Sequence, residues 1–475
     1  MKKIFSRYIA GLALVALLSS GCVRYHPRPI SAGRSLDDFE ARGLNSTELK
    51  EFFQAREAAR TWPLDSWDLR SLTLAAFYYH PDLDVARAQW GVAKAGIKTA
   101  GERPNPSVSG LLGYNRTTPS SEVTPWIPEI VLDIPIEIAG KRGIRIREAR
   151  HLSEAARLNI LSVAWGVRSQ LRTALLELYA ARESEFLLAK QHDIQSENVR
   201  LLKLQLVAGQ VSAYDITQAQ ISLDNSRLAA LEAARQSAEA RVRLADAIGI
   251  PVKALVGAKI VFDAFEYVRA DIPPAEVRRR ALVNRSDILA ALSEYEASQS
   301  ALELEIRKQY PDIHLGPGYQ LDQTDSKWTL GLTLELPIFN RNKGPIAEAE
   351  AHRAETAALF LALQAQVISE IDSAEAACRA AVEKSKTADE LLENLKKQEN
   401  AAEARYGLGE ISKPELLGVQ LELASNALFR LDALISAQQA LGQLEKAMQS
   451  PLDIADWVFQ APQRQSEQTK ERKDD

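Results

Sequence analysis

The chain repeats itself at an interval of about 200 residues, and this duplication constrains its fold more than any other feature. The offset between matched residues falls from 205 near the start of each half to 202 and then 200, so loop lengths differ between the halves. We therefore expect two halves built from equivalent elements in the same order. The matched segments are Pro81-Asp82-Leu83 with Ser286-Asp287-Ile288, Leu132-Asp133-Ile134-Pro135-Ile136 with Leu334-Glu335-Leu336-Pro337-Ile338, and Ala208-Gly209-Gln210-Val211-Ser212 with Leu408-Gly409-Glu410-Ile411-Ser412.

Each half contains two segments in which apolar and polar residues alternate strictly. They run from Val108 to Tyr114, Ile130 to Ile136, Ile313 to Leu321 and Trp328 to Leu336. Such alternation predicts strands, and with their flanking residues these segments approach the length of about 9 to 11 residues that a tilted strand needs to cross a bilayer. Aromatic residues at the ends suit interfacial girdles: Tyr114, Trp126, Tyr319, Trp328 and Phe339. The alternative is a soluble sandwich, for which four strands are few.

Four strands cannot close a barrel alone, and a sheet with unpaired edges is not tolerated in lipid. A chain that crosses the membrane in this way must therefore oligomerise. Two chains would supply 8 strands, whose barrel is filled by side chains, whereas three supply 12 and leave a lumen. The residues opposite the apolar set are small or polar, which suits a water-filled interior. The sequence thus favours a mainly α fold with a small β part, in which a trimer forms a 12-stranded transmembrane barrel.

Long helices account for most of the chain. Between Gly140 and Leu206 there is no proline, which predicts a helix of about 65 residues, near 100 Å long. The second half contains a similar stretch from Arg341 to Tyr406, whose single proline, Pro345, lies near its start. Four shorter helices, stacked end to end in pairs, would match the long ones: Leu72 to Glu102, Ser212 to Ile248, Ala275 to Lys308 and Ser412 to Met448.

The last of these helices indicates how they pack. Its apolar residues follow heptad spacing, and its other faces carry Glu, Gln, Asn, Ser and Lys. A narrow seam of this kind favours coiled-coil neighbours around a solvated space. The seam consists of Leu417, Leu421, Ala424, Leu428, Leu431 and Ile435.

The N-terminus has the features of a secretory signal peptide. Three cations precede an apolar run, Ile9 to Leu18, which is too short to span a bilayer. The run leads into Ser19-Ser20-Gly21-Cys22, which is similar to the lipobox of bacterial lipoproteins, although Ser19 stands where Leu is usual. We expect residues 1–21 to be removed and Cys22 to be acylated. The alternative is a plain signal peptide with an incidental cysteine.

Composition excludes several classes of function. Of 475 residues, 46% are hydrophobic and 25% charged, so the chain is neither disordered nor collagenous. The net charge of −5 becomes −8 without the three signal-peptide cations, which makes nucleic acid an unexpected partner. The six histidines are scattered, and Cys22 and Cys378 are far apart. We expect no enzyme activity, no cofactor, no protein-built metal site and, after the signal peptide, no transmembrane helix.

Together these features resemble the TolC-type outer-membrane efflux factors, over about Leu72 to Pro451. The duplication, the strand pairs and the helix-tip segments carry the resemblance. Members of that family are trimers with a 12-stranded barrel in the outer membrane and a long α-helical coiled-coil barrel through the periplasm. The resemblance implies a homotrimer in outer-membrane lipid that meets a periplasmic membrane-fusion adaptor and, through it, a proton-driven inner-membrane pump.

Three segments are similar to the heavy-metal cation-efflux branch of that family: Arg103-Pro104-Asn105-Pro106, Gly140-Lys141-Arg142 and Phe339-Asn340-Arg341-Asn342-Lys343-Gly344. The resemblance implies a lipid-anchored and barrel-spanning exit duct that passively conducts metal cations. Two alternatives stay open. The first is a multidrug or type I secretion duct of the same family. The second is a non-conducting lipoprotein that tethers the envelope through coiled coils.

Two segments place a glycine just beyond the end of a long helix, as a left-handed cap requires. They are Val207, Ala208, Gly209, Gln210 and Val211 in the first half, and Gly407, Leu408, Gly409, Glu410 and Ile411 in the second. The resemblance implies that these tips form the periplasmic mouth that the adaptor grips, at six sites in a trimer. The alternative is a pair of simple hairpins.

A periplasmic gate is expected next to the tips. Ser212 and Ser412 each begin a capping-box pattern whose acid, Asp215 or Glu415, lies three residues further on. Glu415 falls where the family carries an acidic ring at the narrow end of the pore, and Tyr406 matches a position that helps to close the mouth. A second acid of that ring is replaced by Gly418 here.

These interpretations give the following domain organisation. Residues 1–21 are the signal peptide and 22–71 an N-terminal anchor with an extended segment. Residues 72–250 are the first repeat, 251–274 a linker, 275–450 the second repeat and 451–475 a C-terminal segment with a disordered tail.

Overall fold

A computed structural model describes residues 25–56, 62–117, 124–268 and 275–451. The signal peptide, Cys22 and the C-terminal tail therefore lie outside the described residues. The chain divides after Gly43 into two units. The first contains helix α1 (Ala32–Glu40), which has no buried side chain. The second unit begins at Leu44 and contains every other element.

The second unit repeats one order of elements: short helices, a strand pair, a long helix and a helix of half that length. The first copy consists of α2 (Thr47–Gln54), α3 (Leu69–Tyr79), α4 (Pro81–Ala100), β1 (Ser107–Tyr114), β2 (Trp126–Ile136), α5 (Lys141–Val207) and α6 (Ala213–Ile248). The second consists of α7 (Ala275–Asn284), α8 (Ser286–Arg307), β3 (Ile313–Asp322), β4 (Asp325–Leu334), α9 (Lys343–Gly407) and α10 (Lys413–Met448).

The four strands form one antiparallel sheet in the order β1-β2-β3-β4, so the strand pairs of the two halves lie side by side. Its two faces differ in chemistry. Tyr114 packs edge-on against Trp126, and Tyr319 packs at a tilt against Trp328, with 4.9 Å between ring centroids in each pair, on a face of Val, Leu and Ile residues. The opposite face carries His314 hydrogen bonded to Asp133 at 3.0 Å, among mostly Ser, Thr, Gly and acidic residues, with Leu111 and Val131 among the apolar exceptions. The predicted alternation is confirmed.

The two long helices extend away from the sheet, α5 with 67 residues and α9 with 65. Near the sheet, neighbouring helices pack in the order α4-α5-α8-α9, and further away in the order α6-α5-α10-α9. Helix α4 begins where α6 ends, and α8 begins where α10 ends. The predicted stacking of shorter helices in pairs beside α5 and α9 is therefore confirmed. Helix α5 continues through Gly166 without a break.

The largest core lies on one side of α5. Leu171, Leu175 and Leu178 of that helix are buried there against α2, α3 and the end of α6. Phe265 and the short 3-10 helix Val252–Leu255 cover the same core. A second, smaller cluster joins α8, α9 and α10 and contains the buried free thiol of Cys378. Burial raises the pKa of this thiol.

A buried ionic cluster fixes α10 against α5. Arg168 donates to Glu445 at 2.7 Å, and all three side chains of Arg168, Arg172 and Glu445 are almost fully buried. Arg172 also donates to the backbone and side-chain oxygens of Gln438, at 2.6 and 2.9 Å. Gln438 in turn donates to the carbonyl of Tyr267 at 2.9 Å, in the segment that covers the core.

The predicted helix from Leu72 to Glu102 is wrong, because it is broken at His80. A residue before proline is pushed towards the extended conformation, and His80 adopts it before Pro81. The predicted helix from Ala275 to Lys308 is broken at Arg285. There the first turn of α8 is capped from a distance, because Ser286 donates both N–H and O–H to Gln449 at 2.8 Å.

Two further expectations are corrected. The segment 22–71 is not simply extended, because α2 buries Leu49 and Phe53 and has Ser46 as its N-cap. The apolar seam of α10 is broader than the predicted heptad stripe, because Leu423 and Leu434, which are not part of that stripe, are also buried. Among the described residues, none of the helices has an apolar stretch that would suffice to cross a bilayer.

Candidate functional site

The tips that follow α5 and α9 have the same backbone geometry. In each, a glycine with positive φ, Gly209 at 72° and Gly409 at 75°, ends the helix. Gln210 N–H donates to the carbonyl of Gln205, and Glu410 N–H to that of Arg405, both at 2.9 Å. These bonds reach five residues back, the 6→1 pattern of a Schellman cap, which favours glycine because its positive φ strains other residues. The sequence correctly predicted this role for both glycines.

Both tips expose apolar side chains. Val207, the last residue of α5, is 89% exposed. Leu408, the first residue after α9, is 76% exposed. Tyr214, at the start of α6, is also largely exposed. Apolar groups that protrude at the end of a long helix pair, next to polar Gln210 and Glu410, are suited to burial against another protein.

The two acids after the tips cap the helices that begin there. Asp215 accepts from the N–H of Ser212 at 2.9 Å and from its O–H at 2.7 Å, and these bonds lower the pKa of the Asp215 carboxyl. Glu415 accepts from the N–H of Ser412 at 2.7 Å. Both capping boxes are confirmed. Both acids remain in full contact with solvent, so capping leaves their charges available to an ion.

Tyr406 lies on the last turn of α9, where Lys413 of the next helix sits over its ring at 5.1 Å. Arg405 pairs with Glu410 across the same turn at 3.3 Å. The predicted gate residues Tyr406 and Glu415 therefore lie at the same tip, on either side of the short connection between α9 and α10. Asp215 lies at the other tip. Gly418, where an acid was expected by resemblance, is exposed on the next turn of α10.

An ionic joint connects the sheet to the long helix α5. Lys141, only 8% exposed, pairs with Asp312 at 2.9 Å, and Asp312 also accepts from the N–H of Ile138 at 3.2 Å. Arg145 pairs with Glu137 and donates to the end of α4. In the sequence, Gly140-Lys141-Arg142 indicated only a resemblance to one branch of a family, and not an ionic contact. Its partner Asp312 is 171 residues away, which no local signal reveals.

The described histidines do not assemble a metal site. Groups of three or more His, Cys, Asp or Glu side chains with metal-binding geometry do not occur within the described residues. His192 bonds to Ser226 at 3.1 Å and joins α5 to α6, and His314 bonds to Asp133 on the polar face of the sheet. Both are explained by packing and hydrogen bonding between elements.

The family model for outer membrane efflux proteins matches residues 75–250 and again 277–449. The chain belongs to this family. This efflux protein is an outer-membrane channel component, and the double match follows the two equivalent halves of its structure. It shares its fold with CusC, whose crystal structures superpose with a TM-score of 0.66 at 17% identity, over 90% of this chain and 99% of that one.

Three characterised relatives are more similar in sequence. The cobalt-zinc-cadmium resistance protein CzcC of Cupriavidus metallidurans is 27% identical over 296 residues, 62% of this chain and 67% of CzcC. The nickel-cobalt-cadmium resistance protein NccC of Alcaligenes xylosoxydans xylosoxydans is 25% identical over 45% of this chain and 48% of NccC. The pyoverdine export protein OpmQ of Pseudomonas aeruginosa is 24% identical over 66% of this chain and 67% of OpmQ.

Proposed function

We propose that this efflux protein is the outer-membrane exit duct of a tripartite system that removes metal cations, and that it works as a homotrimer. The relatives CzcC and NccC, both heavy-metal resistance proteins, support the metal cargo. OpmQ supports the alternative of a larger organic cargo in the same kind of duct. In either case the chain supplies a passage, and the energy comes from an inner-membrane pump that is driven by protons.

One observation carries the duct proposal. In the sheet, in the helices near the sheet and in the helices near the tips, the same two flanks of the chain lack a neighbouring element among the described residues. In the sheet, β1 and β4 are the outer strands. Near the sheet the outer helices are α4 and α9, and near the tips they are α6 and α9. One flank therefore consists of β1, α4 and α6, and the other of β4 and α9. Head-to-tail association along these flanks closes a ring at all three levels with one rotation.

Three copies give the ring a size that fits its chemistry. Twelve strands enclose a lumen, whereas eight would fill it. The apolar face of the sheet, on which Leu112, Ile130 and Leu332 are more than half exposed in a single chain, would then meet lipid. The polar face with Asp133 and His314 would line the water-filled interior. A lipid anchor at Cys22, outside the described residues, would add a second attachment to the membrane.

Acylation of Cys22 is tested by mass spectrometry of the mature N-terminal peptide. We expect a peptide that begins at Cys22 and carries acyl chains, and a Cys22→Ser variant that lacks them. Because the barrel also holds the protein in the membrane, the variant should remain in the outer-membrane fraction. An unmodified N-terminus in the wild-type protein would contradict the anchor.

The tips are proposed as the adaptor-docking sites and the acids beside them as the gate. Val207 and Leu408 offer protruding apolar groups at six places in a trimer. Three copies each of Asp215 and Glu415 would stand at the narrow periplasmic end, with Tyr406 beside them. Like charges in a water-filled constriction attract cations over a Debye length of about 8 to 10 Å.

Single-channel recordings from trimers in planar bilayers test the duct and its gate together. The wild-type protein should conduct and prefer cations. Glu415→Gln should lower cation selectivity and divalent block, because it removes three charges while its side-chain oxygen can still accept the bond from Ser412. Folding should change little. A correctly inserted but silent wild-type protein would favour the tethering lipoprotein, and unchanged selectivity with a lower melting temperature would restrict Glu415 to helix capping.

A further inference from the structure

Two grooves open beside the middle of α5, where the paired shorter helices meet end to end. The first, of about 580 Å³, lies where α6 ends and α4 begins, and Asp246 and Asp82 line it. The second, of about 960 Å³, lies where α10 ends and α8 begins. Gly166 and Lys446 line both grooves. Lys446 therefore stands between them, next to a position on α5 that has no side chain.

The wall around Lys446 is rich in uncharged polar groups. They come from three helices: Ser162, Ser169, Gln170 and Thr173 of α5, Gln366, Ser369 and Ser373 of α9, and Ser436, Gln439 and Gln443 of α10. The two arginines of the grooves are paired, Arg285 with Asp287 and Arg243 with Glu177, each at 2.6 Å. Three further carboxylates line the grooves, those of Asp82, Asp246 and Glu370.

Lys446 differs from those two arginines. Its side chain is exposed, and among the described residues none of the carboxylates lies within ion-pairing distance of its ammonium group. The neighbouring residue on α10, Glu445, is turned the other way and buried with Arg168. The charge of Lys446 therefore acts on the solution in the grooves and not on a partner side chain.

The side of the helix array that carries these grooves is the one that would face the interior of a ring. The large core that buries Leu171, Leu175 and Leu178 lies on the opposite side of α5. Twelve helices spaced about 10 Å apart form a ring about 38 Å across, measured between helix axes. Three such cores would block a ring of that size, so they must lie outside it, with Lys446 inside.

We propose that Lys446 sets the ion selectivity of the duct from a second position, by placing three unpaired positive charges on its inner wall. This inference rests on the proposed trimeric duct. Lys446 lies opposite Gly166 of α5. From Gly166 to the tip that follows α5 is about 40 residues, or 60 Å of helix. A cation that has passed the acidic mouth therefore meets three ammonium groups that offset part of the negative charge of the groove walls. Lys446 thereby lowers the cation preference of the whole passage.

Salt dependence distinguishes this effect from a change of shape. The Debye length grows from about 8 Å at physiological salt to about 30 Å at 0.01 M, which spans the interior. In planar bilayers at 0.01 M, Lys446→Gln should raise the cation-to-anion permeability ratio about threefold and Lys446→Glu further, with the differences lost at 1 M. Lys259→Gln is the matched control. Lys259 is also exposed, but it lies in the segment that covers the large core, outside the proposed ring.

Thiol labelling gives a second, independent readout. In a Cys22→Ser, Cys378→Ser background, a Lys446→Cys channel should change conductance in steps when a charged, membrane-impermeant thiol reagent is added, and a Lys259→Cys channel should not. If wild type conducts but Lys446→Gln and the labelled Lys446→Cys channels are unchanged, this inference is overturned while the duct stands. If wild type itself does not conduct, the duct proposal and this inference both fall.

Discussion

Replacing Glu445 with Ala is expected to destabilise the protein by about 3 to 5 kcal/mol. Glu445 is 1% exposed and is the carboxylate that faces both Arg168, at 2.7 Å, and Arg172, at 3.6 Å. Without it, the guanidinium groups of Arg168 and Arg172 stay buried and lose the charge of this carboxylate. One nitrogen of Arg168 has no hydrogen-bond partner among the described residues even with Glu445 present. This penalty exceeds what any exposed ion pair of the helices contributes.

Helix melting followed by circular dichroism in detergent measures this effect. Glu422→Ala is the control, because Glu422 lies on the same helix but is exposed, and it should change the melting temperature little. Glu445→Gln should fall between the two, since it keeps an acceptor for Arg168 and removes only the charge. Equal melting temperatures for the alanine variants at 445 and 422 would show that the buried cluster does not hold α10 against α5.

Most of the fold could be predicted from hydrophobic periodicity and from helix-breaking residues, because these signals are local in the sequence. The lengths of α5 and α9 follow from long stretches with few helix-breaking residues, and the tip geometry follows from Gly209 and Gly409 with serine caps behind them. The break at His80 also had a local signal, Pro81, which the sequence analysis did not use. The break at Arg285 had none, because the side chain of Gln449 caps α8 from 163 residues away.

Charged residues were the least predictable part of the candidate site. The sequence places Glu445 and Lys446 side by side on a helix face that was expected to be solvated. The structure buries the first with two arginines and exposes the second to the grooves. Only the packing of α10 on α5 decides between these environments, and both partners of Glu445 lie more than 270 residues away. Similarly, Lys141 finds Asp312 only through the pairing of β2 with β3.

The largest functional loss is expected from the tips. Burial of a Val or Leu side chain contributes about 1.5 to 3 kcal/mol, and a trimer would offer this at six docking places. Val207→Asp combined with Leu408→Asp places charges at all of them. Because both side chains are exposed, folding and membrane insertion should be unaffected. The duct should still conduct in bilayers but should no longer couple to its adaptor, so transport from the cell should stop.

Val256→Asp is the matched control for these variants. Val256 is 75% exposed, but it lies in the segment that covers the large core, far from the tips. The control should preserve coupling to the adaptor and export at the wild-type level. Loss of export in Val256→Asp as well would indicate a general effect of surface charge. Export that survives in the double tip variant would remove the tips from the docking site.

Metal tolerance of a deletion strain that carries plasmid-borne variants measures the central claim most directly. The strain without this efflux protein should lose tolerance to a divalent or monovalent transition metal and accumulate that metal. Wild type and Val256→Asp should restore tolerance. The double tip variant, present in the outer membrane in equal amount, should leave the strain as sensitive as the deletion. A strain sensitive only to dyes and antibiotics, with unchanged metal tolerance and metal content, would contradict the account.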